Sequence, residues 1–161
     1  MDTKKYYKEE SKIYDLKRFT SPVGKHIDNV EKSIVFKNLK GKNVLELCCG
    51  TGRFATYLAN KGFKYYGIDF SQPMLDEAIS KNKIKGNVTF KRLDVKDLGT
   101  LTPNTFNSIF TARAIKFWQN PQQVIDDCYN LLKDGGRIIL CFQSKDKSLV
   151  RGKMKVGTEK Y

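Results

Sequence analysis

The chain is poor in the residues that carry most acid–base and metal chemistry. Its 161 residues include one histidine, one tryptophan and four cysteines, and 17 acidic side chains stand against 30 basic ones. The lone histidine, His26, sits beside Ile27 in a segment with helical spacing and reads as a surface or boundary residue, so no histidine-centred catalytic pair is expected. The cysteines at 48, 49, 128 and 141 have neither zinc-ligand spacing nor the pattern of a disulfide framework. Three fall in or at the end of expected strands and the fourth on a helix face, which suits buried thiols in a reducing compartment and implies no metal site. No apolar run approaches the roughly 20 residues of a membrane-spanning helix. The opening Met1-Asp2-Thr3-Lys4-Lys5-Tyr6-Tyr7 lacks the apolar core of a secretion signal, so no membrane span and a cytoplasmic location are expected. Internal repeats and low-complexity linkers are also missing, and one domain over residues 1–161 is expected.

What is abundant is lysine. The formal net charge is +13, with the lysines spread along the chain and one basic stretch of little apolar content from Lys145 to Lys160. A surface of this kind serves solubility, and it also leaves a nucleic acid or an anionic lipid open as a partner. Arginine, whose planar fork grips phosphate, is the minor cation, which weighs against dedicated nucleic-acid recognition.

The informative stretch is Val44-Leu45-Glu46-Leu47-Cys48-Cys49-Gly50-Thr51-Gly52, followed by Tyr65-Tyr66-Gly67-Ile68-Asp69. An apolar run ends in small residues and two glycines, an amphipathic segment begins at Arg53, and the next apolar run ends on a carboxylate. This is strand, tight turn, helix, strand, with ligand-facing groups at the strands' carboxyl ends. Glycines at 50 and 52 let the backbone turn and approach a ligand, and Asp69 can accept two hydrogen bonds from a ribose diol. An adenosine-containing cofactor follows.

The rest of the chain keeps the rhythm. Residues 3–18 and the segment from Pro22 to about Leu39, with Ile27, Val30 and Ile34 on one stripe, read as two leading helices. Strands are expected over Asn43–Cys48, Lys64–Asp69, Val88–Leu93, Phe106–Thr111 and Arg137–Phe142. Between them come helices over Arg53–Asn60, from a Ser71 cap to about Lys83, and from Asn120-Pro121 to Gly135-Gly136. Strands separated by helices imply an α/β, Rossmann-like, doubly wound and mostly parallel sheet in three αβα layers. Its parts would be a helical cover (1–40), a cofactor-binding core (41–142) and a short basic tail (143–161).

Gly50-x-Gly52-x-x-Ala55 also fits a loose dinucleotide fingerprint. Glu46, four residues before Gly50, argues against a pyrophosphate and suits a cofactor bearing an amine and a sulfonium. Asp94, closing the third strand, can accept from an adenine amino group, and no further segment remains to cradle a nicotinamide.

These blocks, with Gly67-Ile68-Asp69-Phe70-Ser71, Met74-Leu75, Leu93-Asp94-Val95, Phe106 to Ala114 and Leu131 to Arg137, resemble the class I S-adenosylmethionine-dependent methyltransferases of small-molecule type, from about Tyr14 to Phe142. The resemblance implies S-adenosylmethionine as cofactor and S-adenosylhomocysteine as product. It assigns Glu46 and the Gly50–Gly52 turn to the methionine end, and Asp69 to both ribose hydroxyls. Phe70 and Met74 would pack the adenine and ribose, Asp94 would accept from the adenine amine with Val95 beside it, and Thr111 and Ala112 would offer carbonyls to the methionine amine. Tyr14 and Arg18, in the leading helix, resemble residues that close over the cofactor.

The chain also departs from that pattern. Cys48 replaces the first glycine of the usual turn, Asn107 stands where aspartate is frequent, and Lys116 where many relatives carry histidine, so no general base is assigned. Only 19 residues follow Phe142, too few for most of the family's final antiparallel strand pair. Ser148–Val156 has room for a short hairpin around Arg151-Gly152. A reduced pocket is therefore expected, or a homodimer or partner chain that completes the sheet edge. Phe117 and Trp118 are candidates for the wall of an acceptor pocket as well as for the core. The expected activity is methyl transfer to a small molecule, with a cofactor-binding, non-catalytic subunit as the alternative.

Overall fold

Six strands lie in the order β3-β2-β1-β4-β5-β6. They are β1 (Asn43–Leu47), β2 (Lys64–Asp69), β3 (Val88–Arg92), β4 (Phe106–Ala112), β5 (Leu132–Cys141) and β6 (Val156–Glu159). The computed structural model describes residues 10–82, 86–142 and, for the backbone alone, 156–159. The first five strands are parallel, and β6 runs antiparallel to β5, with Arg137 opposite Glu159 and Ile139 opposite Val156. Part of the segment expected as a basic tail is thus a strand at the sheet edge. The hairpin turn expected around Arg151-Gly152 lies outside the described residues.

Alternation along β1 separates two cores, as the two-residue period of a strand requires. Val44 joins Val35, Phe54, Leu58, Tyr65, Leu75 and Phe110 on one face. Leu45 and Leu47 join Ile68, Ile109, Val124, Cys128 and Leu131 on the other. The first face is covered by α2 (Pro22–Asn38), α3 (Ala55–Ala59) and α4 (Gln72–Lys81). The second is covered by α5 (Pro121–Leu131) and a 3-10 segment, Val95–Thr100, that replaces a full crossover helix. A short helix, α1 (Tyr14–Phe19), precedes α2.

Local chemistry sets the helix starts. Pro22 follows Ser21, whose hydroxyl accepts from the Gly24 amide at 3.0 Å, and Pro121 follows Asn120, whose side chain accepts from the Gln123 amide at 3.2 Å. Ser71 stands at the start of α4 but its side chain makes no capping bond, contrary to expectation. Its own amide instead donates to Asp69 Oδ1 at 2.9 Å.

Strand ends other than those of β2 shift by one residue from those expected, and three larger features differ from the sequence reading. In α2 the fully buried residue is Val35, while Ile27, Val30 and Ile34 stay half-exposed, because Val35 is the one that reaches the cluster around Val44. Helix α5 stops at Leu131 rather than at the Gly135-Gly136 pair, and β5 begins at once. Register then slips between Phe106–Leu132 and Ser108–Arg137, so Lys133–Gly136 form a bulge with Gly135 at φ +69°. Helix α3 is also shorter than expected, because turns occupy residues 51–54.

Asn107 has a structural use. Its Oδ1 accepts from the Lys42 and Asn43 amides at 3.2 and 3.1 Å, fixing the entry into β1. Gly41, at φ +60°, has no room for a Cβ, which would stand 2.3 Å from Asn107 Cγ.

Candidate functional site

The glycine turn is built by continuing the β1–β2 ladder two residues past β1. The Cys49 amide donates to the Ile68 carbonyl at 2.8 Å, and the chain then bends through left-handed conformations at Cys48 (φ 55°), Gly50 (φ 54°) and Gly52 (φ 68°). Asp69 fastens the bend: its Oδ2 accepts from the Gly50 amide at 2.8 Å while its Oδ1 holds the Ser71 amide. Burial pushes its carboxyl above the usual range, and the amides of Ser71, Gly50 and Phe70 pull against that. Each carboxylate oxygen keeps a second lone pair for a ligand donor.

The two glycines do different jobs. A Cβ on Gly50 would meet no atom within 4 Å, and Gly50 faces a cavity of about 430 Å³. A Cβ on Gly52 would stand 2.9 Å from the Phe90 ring and 3.0 Å from both Ala78 and Asn82. Gly52 thus serves packing of α3 against β3 and α4, with Asn82 Nδ2 donating to its carbonyl at 3.3 Å.

The cavity lies along the carboxyl ends of β1 to β4. One end is lined by Cys48, Gly50, Asp69, Phe70 and Met74, with Leu93, Asp94, Val95 and Lys96 beside them. The other end is formed by Tyr14, Ala112, Arg113, Ala114, Phe117 and Trp118, with Gln119, Asn120, Gln123 and Val124 below. Asp94 is held by a bond from the Lys96 amide to its Oδ1 at 3.3 Å. Of the residues singled out from sequence, Tyr14, Cys48, Gly50, Asp69, Phe70, Met74, Asp94, Val95 and Ala112 therefore meet around one space.

Four others stand outside this lining. Glu46 is 3% exposed beneath the turn, on the first core face, where the Tyr65 hydroxyl donates to its Oε2. Burial pushes its carboxyl up to about 8, against the Tyr65 bond and the Arg53 charge. Gly67 makes room for that pair, since a Cβ there would lie 2.8 Å from the Tyr65 hydroxyl. Thr111 is fully buried, its hydroxyl donating to the Leu47 carbonyl at 3.0 Å. Gly52 packs as described. Arg18 places its guanidinium 4.7 Å from the centre of the Tyr14 ring, a cation–π contact. Lys116 lies over the Phe117 ring at 4.9 Å and is not part of the wall, whose cations are Lys96 and Arg113. His26 is exposed on α2.

The sequence reading missed what holds the cover down. Arg53, first residue after the turn, donates to Asp28 Oδ1 at 2.6 Å and to Glu31 Oε2, and Arg113 Nε donates to Glu31 Oε1 at 2.6 Å. Arg113 adopts φ 65° directly after β4. On α1, Asp15 accepts from the Thr51 hydroxyl at 2.6 Å and from Lys81 at 3.0 Å. These bonds seat Tyr14 at the cavity. The available signal was the Asp28/Glu31 spacing of three, which puts both carboxylates on one helix face, beside Val35.

Residues 45–140, more than half of the chain, match the family described as "Methyltransferase domain". A ubiquinone biosynthesis O-methyltransferase of Dechloromonas aromatica is 30% identical over 115 residues, covering 71% of this chain and 48% of that protein. A demethylmenaquinone methyltransferase of Clavibacter sepedonicus is 28% identical over 149 residues, covering 90% of this chain and 60% of the other. The chain thus spans about half to three-fifths of the length of these relatives. Among solved structures, a phosphoethanolamine N-methyltransferase of Haemonchus contortus, in complex with phosphomonomethylethanolamine and S-adenosylhomocysteine, shares the fold with a TM-score of 0.72 at 22% identity, covering 92% of this chain and 37% of that one. A parallel sheet with a glycine turn after its first strand, a carboxylate after its second and a cavity across both, together with the match over residues 45–140, makes this chain a member of the methyltransferase domain family.

Proposed function

We propose that the cavity binds S-adenosylmethionine and that the chain transfers its methyl group to a small-molecule acceptor. The observation that carries this reading is Asp69 and Asp94 lining the same cavity as the open Gly50 turn. The donor set fits the cofactor: carboxylates for a ribose diol and an adenine amine, apolar Phe70, Met74, Leu93 and Val95 for a flat ring, and Gly50 where a chain must pass without a side chain in the way. When bound, the cofactor supplies an activated methyl on a sulfonium, which an acceptor atom takes as the C–S bond breaks.

The chain's own part is positional. Asp69 and Asp94 fix the adenosine end, Cys48 and Gly50 border the methionine end, and Tyr14, Arg113, Phe117 and Gln123 wall the space left for an acceptor. Holding acceptor and methyl together in a water-poor, partly aromatic space supplies most of what an in-line displacement needs. Relatives named for ubiquinone and menaquinone biosynthesis support a small acceptor over a macromolecule.

Titration calorimetry with S-adenosylhomocysteine tests the site. The chain binds it, and Gly50→Val lowers affinity by roughly a hundredfold or more, about 2.7 kcal/mol, because the new side chain fills the space beside Asp69. Equal affinity in the two proteins would remove the cavity from consideration. Release of S-adenosylhomocysteine in the presence of a panel of phenolic, amine and thiol acceptors tests turnover separately.

A further inference from the structure

The helical cover has an outer face that the cavity does not use. Leu16 is two positions from Tyr14, hence on the opposite side of α1, and is 64% exposed. Ile13, in the 3-10 turn Ser11–Ile13 that leads into α1, is 38% exposed. The chain then turns sharply into α2. The Thr20 hydroxyl donates to the Leu16 carbonyl at 2.6 Å, and Gly24 packs so closely on the end of α1 that a Cβ there would lie 2.3 Å from the Arg18 carbonyl oxygen. Val23, next to that contact, is 69% exposed.

The exposed charges in the sequence around these three apolar side chains are basic. Lys12, Lys17 and Lys25 are exposed in this stretch, while Arg18, also exposed, lies over the Tyr14 ring on the cavity side of α1. Of its carboxylates, Asp15 is bonded to Thr51 and Lys81, and the half-buried Glu10 pairs with Lys17 at 2.6 Å and offsets that one cation. Among the described residues 10–27, no exposed position is acidic. Exposed aliphatic side chains flanked by lysines match a bilayer with anionic headgroups, where the aliphatic groups enter the interface and the lysine stems reach the phosphates. A folded nucleic acid would use the cations and leave Leu16 and Val23 in water.

We propose that the outer face of the α1–α2 corner docks the protein on an anionic lipid surface, with Ile13, Leu16 and Val23 as the inserting side chains. The docking does not depend on the identity of the cavity's ligand.

Sedimentation of the full chain with vesicles tests it, comparing phosphatidylcholine alone with a mixture one-third phosphatidylglycerol. The chain binds the anionic vesicles and hardly binds the neutral ones, and added salt weakens binding. Leu16→Glu and Val23→Glu each lower the partition coefficient roughly tenfold, the scale of one exposed aliphatic side chain entering an apolar phase. Both positions are exposed, so thermal melts stay unchanged. Lys12→Glu with Lys25→Glu lowers binding to anionic vesicles alone. Failure of the parent chain to bind, or binding that neither apolar substitution changes, overturns the proposal. So does tighter binding to a tRNA, in the same buffer, that Leu16→Glu and Val23→Glu leave intact.

Discussion

Replacing Glu46 by glutamine isolates the energetic consequence of a buried carboxyl. In the folded chain burial lifts Glu46 from 4.5 to about 8. Between those two pH values the folded state holds a proton that the unfolded state has released. Stability therefore falls as pH rises through this window, and the loss is complete above about pH 8. The full gap corresponds to an upper figure of roughly 5 kcal/mol. Relaxation around the ion brings the expected loss to about 2–4 kcal/mol, a large fraction of a domain's stability. Glutamine keeps the shape and a carbonyl oxygen for the Tyr65 hydroxyl but has no proton to lose. Urea unfolding at pH 5 and pH 8.5 compares the two proteins. The parent and Glu46→Gln have similar stability at pH 5, and the variant is the more stable by about 2–4 kcal/mol at pH 8.5. Parallel stability–pH curves would refute the reasoning, since every other titrating group is common to both.

Two further substitutions separate support from binding. Gly52→Ala forces a methyl against Phe90, Ala78 and Asn82 in a left-handed backbone, and lowers stability by about 2–4 kcal/mol in urea melts; Gly50→Val meets open space but the same left-handed backbone, and costs about 1–2 kcal/mol of stability beside the larger loss of affinity. Arg53→Ala removes the cation shared by Asp28 and Glu31, which keep Lys32 and Arg113 as partners; it costs about 1–2 kcal/mol and raises hydrogen-exchange rates across Pro22–Asn38, and unchanged exchange there would show that Arg53 does not hold the cover.

The sheet was legible because its signals are local. Lys64–Asp69 is a strand over the residues expected, since an apolar run ending at a carboxylate and flanked by Gly62 and Ser71 admits little else. Asp69 and Asp94 could be placed at strand ends for the same reason. The cover's attachment was not legible. Arg53 meets Asp28 and Glu31 across more than 20 residues, and Arg113 meets Glu31 across 82, and no periodicity encodes such pairings. The start of β5 was hidden because Gly135-Gly136 reads as a helix stop, whereas the glycines serve a bulge inside a strand already begun at Leu132. Glu46 shows a third limit. Its position in β1 is plain from sequence, but which face it occupies depends on Tyr65 and Gly67 of the neighbouring strand.

Asp69 holds the Gly50 and Ser71 amides with its two oxygens. Removing that side chain would strand two donors and loosen the exit from β1 together with the entry into α4. A descendant that had ceased to use any nucleoside would still be obliged to retain this aspartate for the sake of its architecture. Persistence of the residue in a lineage is therefore no record of activity, and the vacant side of the Gly50 turn, which architecture does not need, is the better witness.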